Sequence, residues 1–461
     1  MNFTTPIFFY FFILVFLFRW LISFYDKTGV VGKISLLFFS YLFYMSWDYR
    51  FAALLFFVTA SDFYLAGRIA KTGNRIFLLL SVCIDLGILA WFKYSNFFLQ
   101  NIQSVLDGLF PASFVGEVVL PLGISFYIFQ SLGYTISVYR QETGAEKSLL
   151  DYALFLSFFP QLVAGPIVAS SILLPQLKHP GEFRLLNLKK GFYFILSGFI
   201  KKSLLADTVS VYSDQLFAAP AEYSWVAALV GVVSYSIQIY CDFSGYSDIA
   251  IGLACLLGFE LPENFNMPYL ARGFSEFWNR WHITLSGWLR SFLYIPLGGN
   301  RISRLVTYRN LFVTMLLGGL WHGASWNFVV WGGAHGVLLA VERLWYEKNK
   351  KPEGFYYPVV TFAIVSLLWV FFRAETFQDS LIVLQRIFFL HKGAGPGSLL
   401  VFSLVVIVVL LGHLVGSRFD KQIRIILDRP CRWYEILLLV AASLVALFFS
   451  SSARPFIYFV F

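Results

Sequence analysis

Long apolar runs recur along nearly the whole chain, and they constrain its fold more than any other feature. A helix that crosses a bilayer needs about 20 mostly apolar residues, because the hydrocarbon core is about 30 Å thick. Runs near that length, or somewhat shorter, fall at 6–24, 34–47, 51–67, 76–92, 120–139, 152–174, 188–205, 227–259, 312–341, 358–372, 399–415 and 434–450. The shorter ones suit tilted, broken or re-entrant helices. Composition agrees: 58% of residues are hydrophobic and only 13% charged, where a soluble domain carries about 25% charged residues. The reading is an all-α, polytopic membrane protein with roughly 11–13 embedded helices. It is expected to form one membrane-embedded unit over 1–461, with its core at about 118–345.

The net charge is +9. In a soluble chain that balance would raise nucleic-acid binding. Here the basic residues sit in short stretches between apolar runs, at 68–75, 178–190, 301–309, 343–351 and 418–432. That is the positive-inside arrangement, so the charge reads as topology and nucleic acid is set aside. The stretches at 343–351 and 418–432 are the expected cytoplasmic loops. Cys83, Cys241, Cys255 and Cys431 are scattered without a CxxC pair, which argues against a disulfide framework or a zinc site. The first apolar run has no basic leader and no small-residue cleavage site, so it is expected to remain as a helix. No repeat of fixed period and no inverted repeat is visible.

The stretch from 264 to 309 is too polar to span. Trp278, Trp281, His282, Leu285, Trp288 and Leu289 recur at helical spacing, and Glu276 and Arg280 are placed to pair one turn apart. The pattern predicts an amphipathic interfacial helix followed by a turn at 296–300. Such a segment survives at membrane depth only when protein covers it or it lines a cavity.

Ionisable groups inside apolar runs are costly and mark candidate sites. His322 stands between small residues in Gly318-Gly319-Leu320-Trp321-His322-Gly323-Ala324-Ser325-Trp326, with Trp326 one helical turn on. Two readings stand: a general base, histidine's usual role near neutral pH, or a buried histidine bonded to a neighbouring helix. His282 lies in Trp278-Asn279-Arg280-Trp281-His282 and reads on spacing alone as an interfacial histidine. His335 is 13 residues past His322 and off its helix face, so the structural reading is preferred. His179, His391 and His413 read as surface or capping groups. Asp242 and Asp248 sit in an apolar run but six residues apart, off a common face. They suit either a polar cavity or a hydrogen-bond network between helices. No GxSxG, GxxxxGK[ST], strand-bound GxGxxG or HExxH pattern is present, so nucleotide and metal hydrolysis are poor readings.

Taken together, Phe277-Trp278-Asn279-Arg280-Trp281-His282, Gly319-Leu320-Trp321-His322-Gly323 and Asp242-Phe243-Ser244-Gly245-Tyr246-Ser247-Asp248 resemble the membrane-bound O-acyltransferases. Pro121-Leu122-Gly123-Ile124-Ser125-Phe126-Tyr127, Phe159-Pro160-Gln161-Leu162-Val163-Ala164-Gly165-Pro166 and the C-terminal Pro455-Phe456-Ile457-Tyr458-Phe459-Val460-Phe461 extend the resemblance over nearly the whole chain. It is nearest to the bacterial branch that acetylates alginate and peptidoglycan, although Val460 stands where that branch would have Gln. The resemblance implies a helical fold around a tunnel, with His322 at its constriction and His282 as the second family histidine. It implies an enzyme of the bacterial inner membrane that binds no cofactor. Its partners would be the bilayer, an acyl thioester donor such as acetyl-CoA, and an extracytoplasmic SGNH-type protein. On this reading Trp278, Asn279, Arg280, Asp242, Trp321 and Trp326 are candidates for holding substrate. Tyr458 would either relay the acyl group or anchor the terminus at the interface. The rivals are D-alanyl transfer to teichoic acid and, outside enzymes, a transporter lined by His322 and Asp242.

Overall fold

The computed structural model describes residues 1–26, 28–105, 118–163, 165–179, 183–349 and 353–449. The chain packs as two compact units, Met1–Gly191 with Ala250–Pro262, and Phe192–Ile249 with the chain from Glu263 onward. Helices α1 (Pro6–Tyr25), α2 (Val30–Met45), α3 (Arg50–Thr72), α4 (Arg75–Leu89), α5 (Ser95–Val105), α6 (Ile124–Tyr139), α7 (Leu149–Ser157), α8 (Phe159–Leu162), α9 (Ser170–Lys178) and α10 (Leu185–Phe199) come first. They are followed by α11 (Asp207–Ala218), α12 (Trp225–Leu256), α13 (Phe274–Arg280), α14 (Ile283–Leu289), α15 (Arg304–His322) and α16 (Trp326–Tyr346). The last are α17 (Tyr356–Arg373), α18 (Phe377–Phe388), α19 (Leu399–Asp428) and α20 (Trp433–Phe449). Among the described residues, six helices are long and apolar enough to cross a membrane: α1, α3, the stretch Arg75–Leu99, α12, α17 and α19. Of the apolar window in α12, 78% is buried, against 17% in α19. Protein therefore covers most of the apolar face of the first, whereas most of the second is left uncovered.

Several expected spans break, and each break has a local cause. The run at 152–174 becomes α7, α8 and α9, because Pro160 and Pro166 cannot continue a helix through their missing N–H. The stretch at 418–432 is not a loop: α19 continues to Asp428, and Arg424 pairs there with Asp420 at 3.0 Å and Glu263 at 2.9 Å. The expected span at 312–341 is a hairpin. Helix α15 ends at His322, and Ser325 caps α16 by accepting the Asn327 N–H at 3.2 Å. Gly323 turns extended after His322, and Ser325, two residues on, caps the next helix, so stop and start fall within one tripeptide.

The hairpin brings α15 and α16 into backbone contact. A Cβ on Gly319 would stand 2.3 Å from the Phe328 carbonyl oxygen and 2.9 Å from Gly332 Cα. One on Gly332 would stand 2.4 Å from the Met315 carbonyl oxygen. In the first unit the buried polar groups are tied across helices instead. Asp62 of α3 accepts from Ser81 of α4 at 2.7 Å and from Ser131 of α6, and Ser131 also meets the Tyr152 hydroxyl of α7 at 2.8 Å. An ionisable group deep in a helical membrane protein needs such partners.

The hairpin contact gives the first prediction. Gly319→Ala or Gly332→Ala should lower the thermal midpoint in detergent, by about 1–3 kcal/mol of overpacking. Gly333→Ala is the control: its Cβ would meet nothing nearer than 3.6 Å, and it should leave the midpoint unchanged.

Candidate active site

The candidate site lies in the second unit and is assembled from α12, the α13–α14 turn, α15, α16 and α17. The predicted single amphipathic helix is broken in its middle. Helix α13 ends at Arg280, Trp281 is extended, and His282 takes a left-handed conformation with φ 44° before α14 begins. A residue other than glycine held there costs about 1–3 kcal/mol and persists where its surroundings fix it. Trp281 and His282 are buried, so this face is packed against protein.

Asn264 fixes His282. Its Oδ1 accepts the Thr284 backbone N–H at 3.2 Å and the Thr284 hydroxyl at 2.9 Å, and lies 3.1 Å from His282 Nδ1. The backbone donor identifies that atom as the oxygen, so His282 Nδ1 must carry the proton and Nε2 the lone pair. Burial lowers the His282 pKa to about 3, so the ring is neutral at pH 7. Phe243 and Phe265 pack on it, with ring centroids 4.7 Å and 6.5 Å away.

His322 is the last residue of α15 and is 4% exposed. Three aromatic rings meet it at steep angles: Trp321 at 5.0 Å, Trp331 at 5.1 Å and Phe372 at 5.2 Å between centroids. Trp321 also lies 6.2 Å from His282, so one indole is shared by both histidines. Trp278 donates its indole N–H to His335 Nδ1 at 3.3 Å and packs edge-on to Trp331. The result is the His322 imidazole in an aromatic box, with the neutral His282 ring behind the shared indole. Such a box excludes water and suits proton transfer to and from a bound substrate. Among the described residues no cluster of His, Cys, Asp and Glu is built to hold a metal ion.

The structure sorts the sequence candidates. His322, His282, Trp321 and Trp278 come together. Asp242 pairs at 2.7 Å with Lys202, which also reaches Asp207 at 2.9 Å, and Asp248 pairs at 2.7 Å with Lys201. The two lysines stand on a π-helical turn, Ile200–Ala206, which aims neighbouring side chains at acids six residues apart on α12. Asn279 is exposed, and Arg280 is held by Glu276 at 2.7 Å and by the Asn266 carbonyl at 3.3 Å. Trp326 does not sit one turn on from His322, because the helix has ended: it opens α16 and is 58% exposed. His335 does share a neighbour with His322, against the reading from helical spacing, because the hairpin folds His322 onto Trp331, which His335 contacts one turn on in α16. Tyr458 lies outside the described residues.

The sequence reading missed Asn264, Lys202, Trp331, Phe372 and Glu342. Glu342 of α16 accepts the N–H groups of Phe274 and Ser275 and so caps α13. A lysine pair inside an apolar run was a readable signal for Lys202. Nothing local marks Trp331 or Phe372 among 13 Trp and 53 Phe.

Fold and site together define a polytopic helical membrane protein with a buried two-histidine centre. A family model for MBOAT, the membrane-bound O-acyltransferase family, matches residues 9–375, and the chain belongs to that family. It is therefore an acyltransferase, in a multi-pass bacterial membrane setting. It is 42% identical over 388 residues to a Pseudomonas aeruginosa protein called "Probable alginate O-acetylase", covering 82% of this chain and 73% of the relative. It is 36% identical over 421 residues to the peptidoglycan O-acetyltransferase of Helicobacter pylori, covering 83% and 79%. A teichoic acid D-alanyltransferase of Bacillus subtilis is more distant, 27% identical over 265 residues, covering 55% and 67%.

The buried pair at Lys202 sets a second prediction. The Lys202 and Asp242 side chains are each 3% exposed. Lys202→Met would leave buried acid without its cation and should cost about 3–5 kcal/mol, read as a loss of folded protein on size exclusion. Asn264→Ala should cost about 1–3 kcal/mol and release His282, which a changed imidazole NMR shift would report.

Proposed function

We propose that this chain transfers an acetyl group from a cytoplasmic thioester, acetyl-CoA, through the membrane for O-acetylation of an extracytoplasmic polysaccharide, with His322 as general base. The reading rests on one observation above all. His322 is a nearly dry imidazole at a helix end, boxed by Trp321, Trp331 and Phe372, in a chain whose relatives are named as polysaccharide O-acetylases.

The chemistry asks for little more. The attacking hydroxyl gives its proton to His322 as its oxygen bonds to the acyl carbon. The carbon–sulfur bond then breaks, and the thiolate recovers that proton from the imidazolium. A base of this kind contributes about 10²–10⁴ in rate. Exclusion of water from the aromatic box keeps the thioester from hydrolysis. His282, neutral and held by Asn264, backs the Trp321 indole that it shares with His322. Delivery to the polymer then falls to an extracytoplasmic SGNH-type partner.

The test follows radiolabelled acetyl-CoA in membranes that hold the chain with that partner. Wild type should place label on the polymer. His322→Ala should reduce labelling at least about 100-fold at equal expression. Equal labelling in the variant would remove His322 from the reaction. Labelling only from a D-alanyl carrier protein would replace the acetyl reading with the D-alanyl one.

A further inference from the structure

Among the described residues, two buried N–H donors on α16 have no hydrogen-bond partner, and one of them belongs to the indole that packs on His322. The first is Trp331 Nε1, on a side chain 1% exposed. The second is His335 Nε2, on a side chain that is fully buried. His335 Nδ1 accepts the Trp278 indole N–H at 3.3 Å. That nitrogen therefore bears the lone pair, and Nε2 must bear the hydrogen. The two residues are four apart, on one face of α16, with ring centroids 4.9 Å from each other. The Trp331 ring is also 5.1 Å from that of His322. Leaving a buried donor unpaired costs about 1–3 kcal/mol, so a folded protein carries few of them. Two side by side, one of them on the ring that packs against the proposed base, call for an explanation.

Packing does not supply one. Trp331 is held by stacking on Trp369 at 5.5 Å and by Phe372 at 5.1 Å, and a phenyl ring would keep much of that contact. What the indole adds is its N–H. Acyl transfer from a thioester needs such donors, because the carbonyl oxygen gains negative charge as the hydroxyl oxygen bonds to its carbon.

We infer that Trp331 Nε1–H and His335 Nε2–H receive the acyl carbonyl oxygen as it becomes an oxyanion. This inference rests on the acyl-transfer reading of the His322 centre. In the step, the hydroxyl oxygen bonds to the acyl carbon and its proton passes to His322. The carbonyl π electrons move onto oxygen, where the two donors hold them. When the carbonyl re-forms, the carbon–sulfur bond breaks and the thiolate takes the proton from His322. Trp278 has a different part: by donating to Nδ1 it holds His335 in the tautomer that leaves a hydrogen on Nε2, and so acts as a positioning residue.

The experiment uses the full chain in proteoliposomes and reads the initial rate of thiol release from acetyl-CoA, together with the thermal midpoint. Trp331→Phe, and replacement of Trp331 by its benzothiophene analogue through nonsense suppression, each remove the N–H. The analogue keeps the shape of the ring, so it decides the matter if the phenylalanine variant folds poorly. Both should lower kcat about 100- to 1,000-fold with KM little changed, and the analogue should leave the thermal midpoint in place. His335→Gln, which returns an N–H near the Nε2 position, should keep more kcat than His335→Asn, which returns only the acceptor for Trp278. Wild-type kcat in the benzothiophene variant, alongside an inactive His322→Ala, would overturn the oxyanion assignment and leave His322 as the base. An active His322→Ala would overturn the acyl-transfer reading of this centre and the oxyanion assignment with it.

Discussion

Backbone contact between α15 and α16 at Gly319 and Gly332 governs the geometry of the candidate site. Side chains at these two positions would collide with the facing backbone, so the helices meet more closely than two ordinary helices do. That approach sets Trp331 against His322, and His335, one turn after Trp331 on α16, packs on the same indole. The break at Gly323 and Ser325 matters as much, since a continuous helix would carry His335 far along the axis from His322. One reversal of the chain thus converts two distant histidines into neighbours of one tryptophan.

Charge inside the bundle is managed by local pairs. Lys202 faces two acids and Lys201 a third. Asp62 is satisfied by serine hydroxyls from two other helices. Lys202 with Asp242 and Lys201 with Asp248 tie the π-helical turn to α12, and Asp62 ties α3 to α4 and α6, whereas Lys202 with Asp207 is a local pair at the start of α11. The histidine centre is built on another principle. Around His322 the Trp321, Trp331 and Phe372 rings pack closely and leave the imidazole 4% exposed.

Much of this was legible from the residues. The repeated apolar runs dictated a helical membrane protein. The order of the short segments around Asp242, His282 and His322 pointed to the acyltransferase family, and His322 stood out as a titratable ring among small residues. The misreadings share a cause. Trp326 was placed on the His322 face, and His335 off it, by assuming one unbroken helix; periodicity fixes faces only as far as the helix runs. The stretch around Trp281 and His282 looked amphipathic at an interface because helical spacing does not register a left-handed residue in mid-segment.

By itself the sequence determined the environment of this protein and the kinds of group available to it, because the length and polarity of a segment decide which solvent it tolerates. It could not decide which rings surround His322, or which nitrogen of His282 and His335 carries the proton. Those depend on Asn264, Trp278, Trp331 and Phe372, which lie at various distances along the chain and on separate elements. Only the packed helices bring them together, and the tautomer of a buried imidazole is set by the atom placed opposite it.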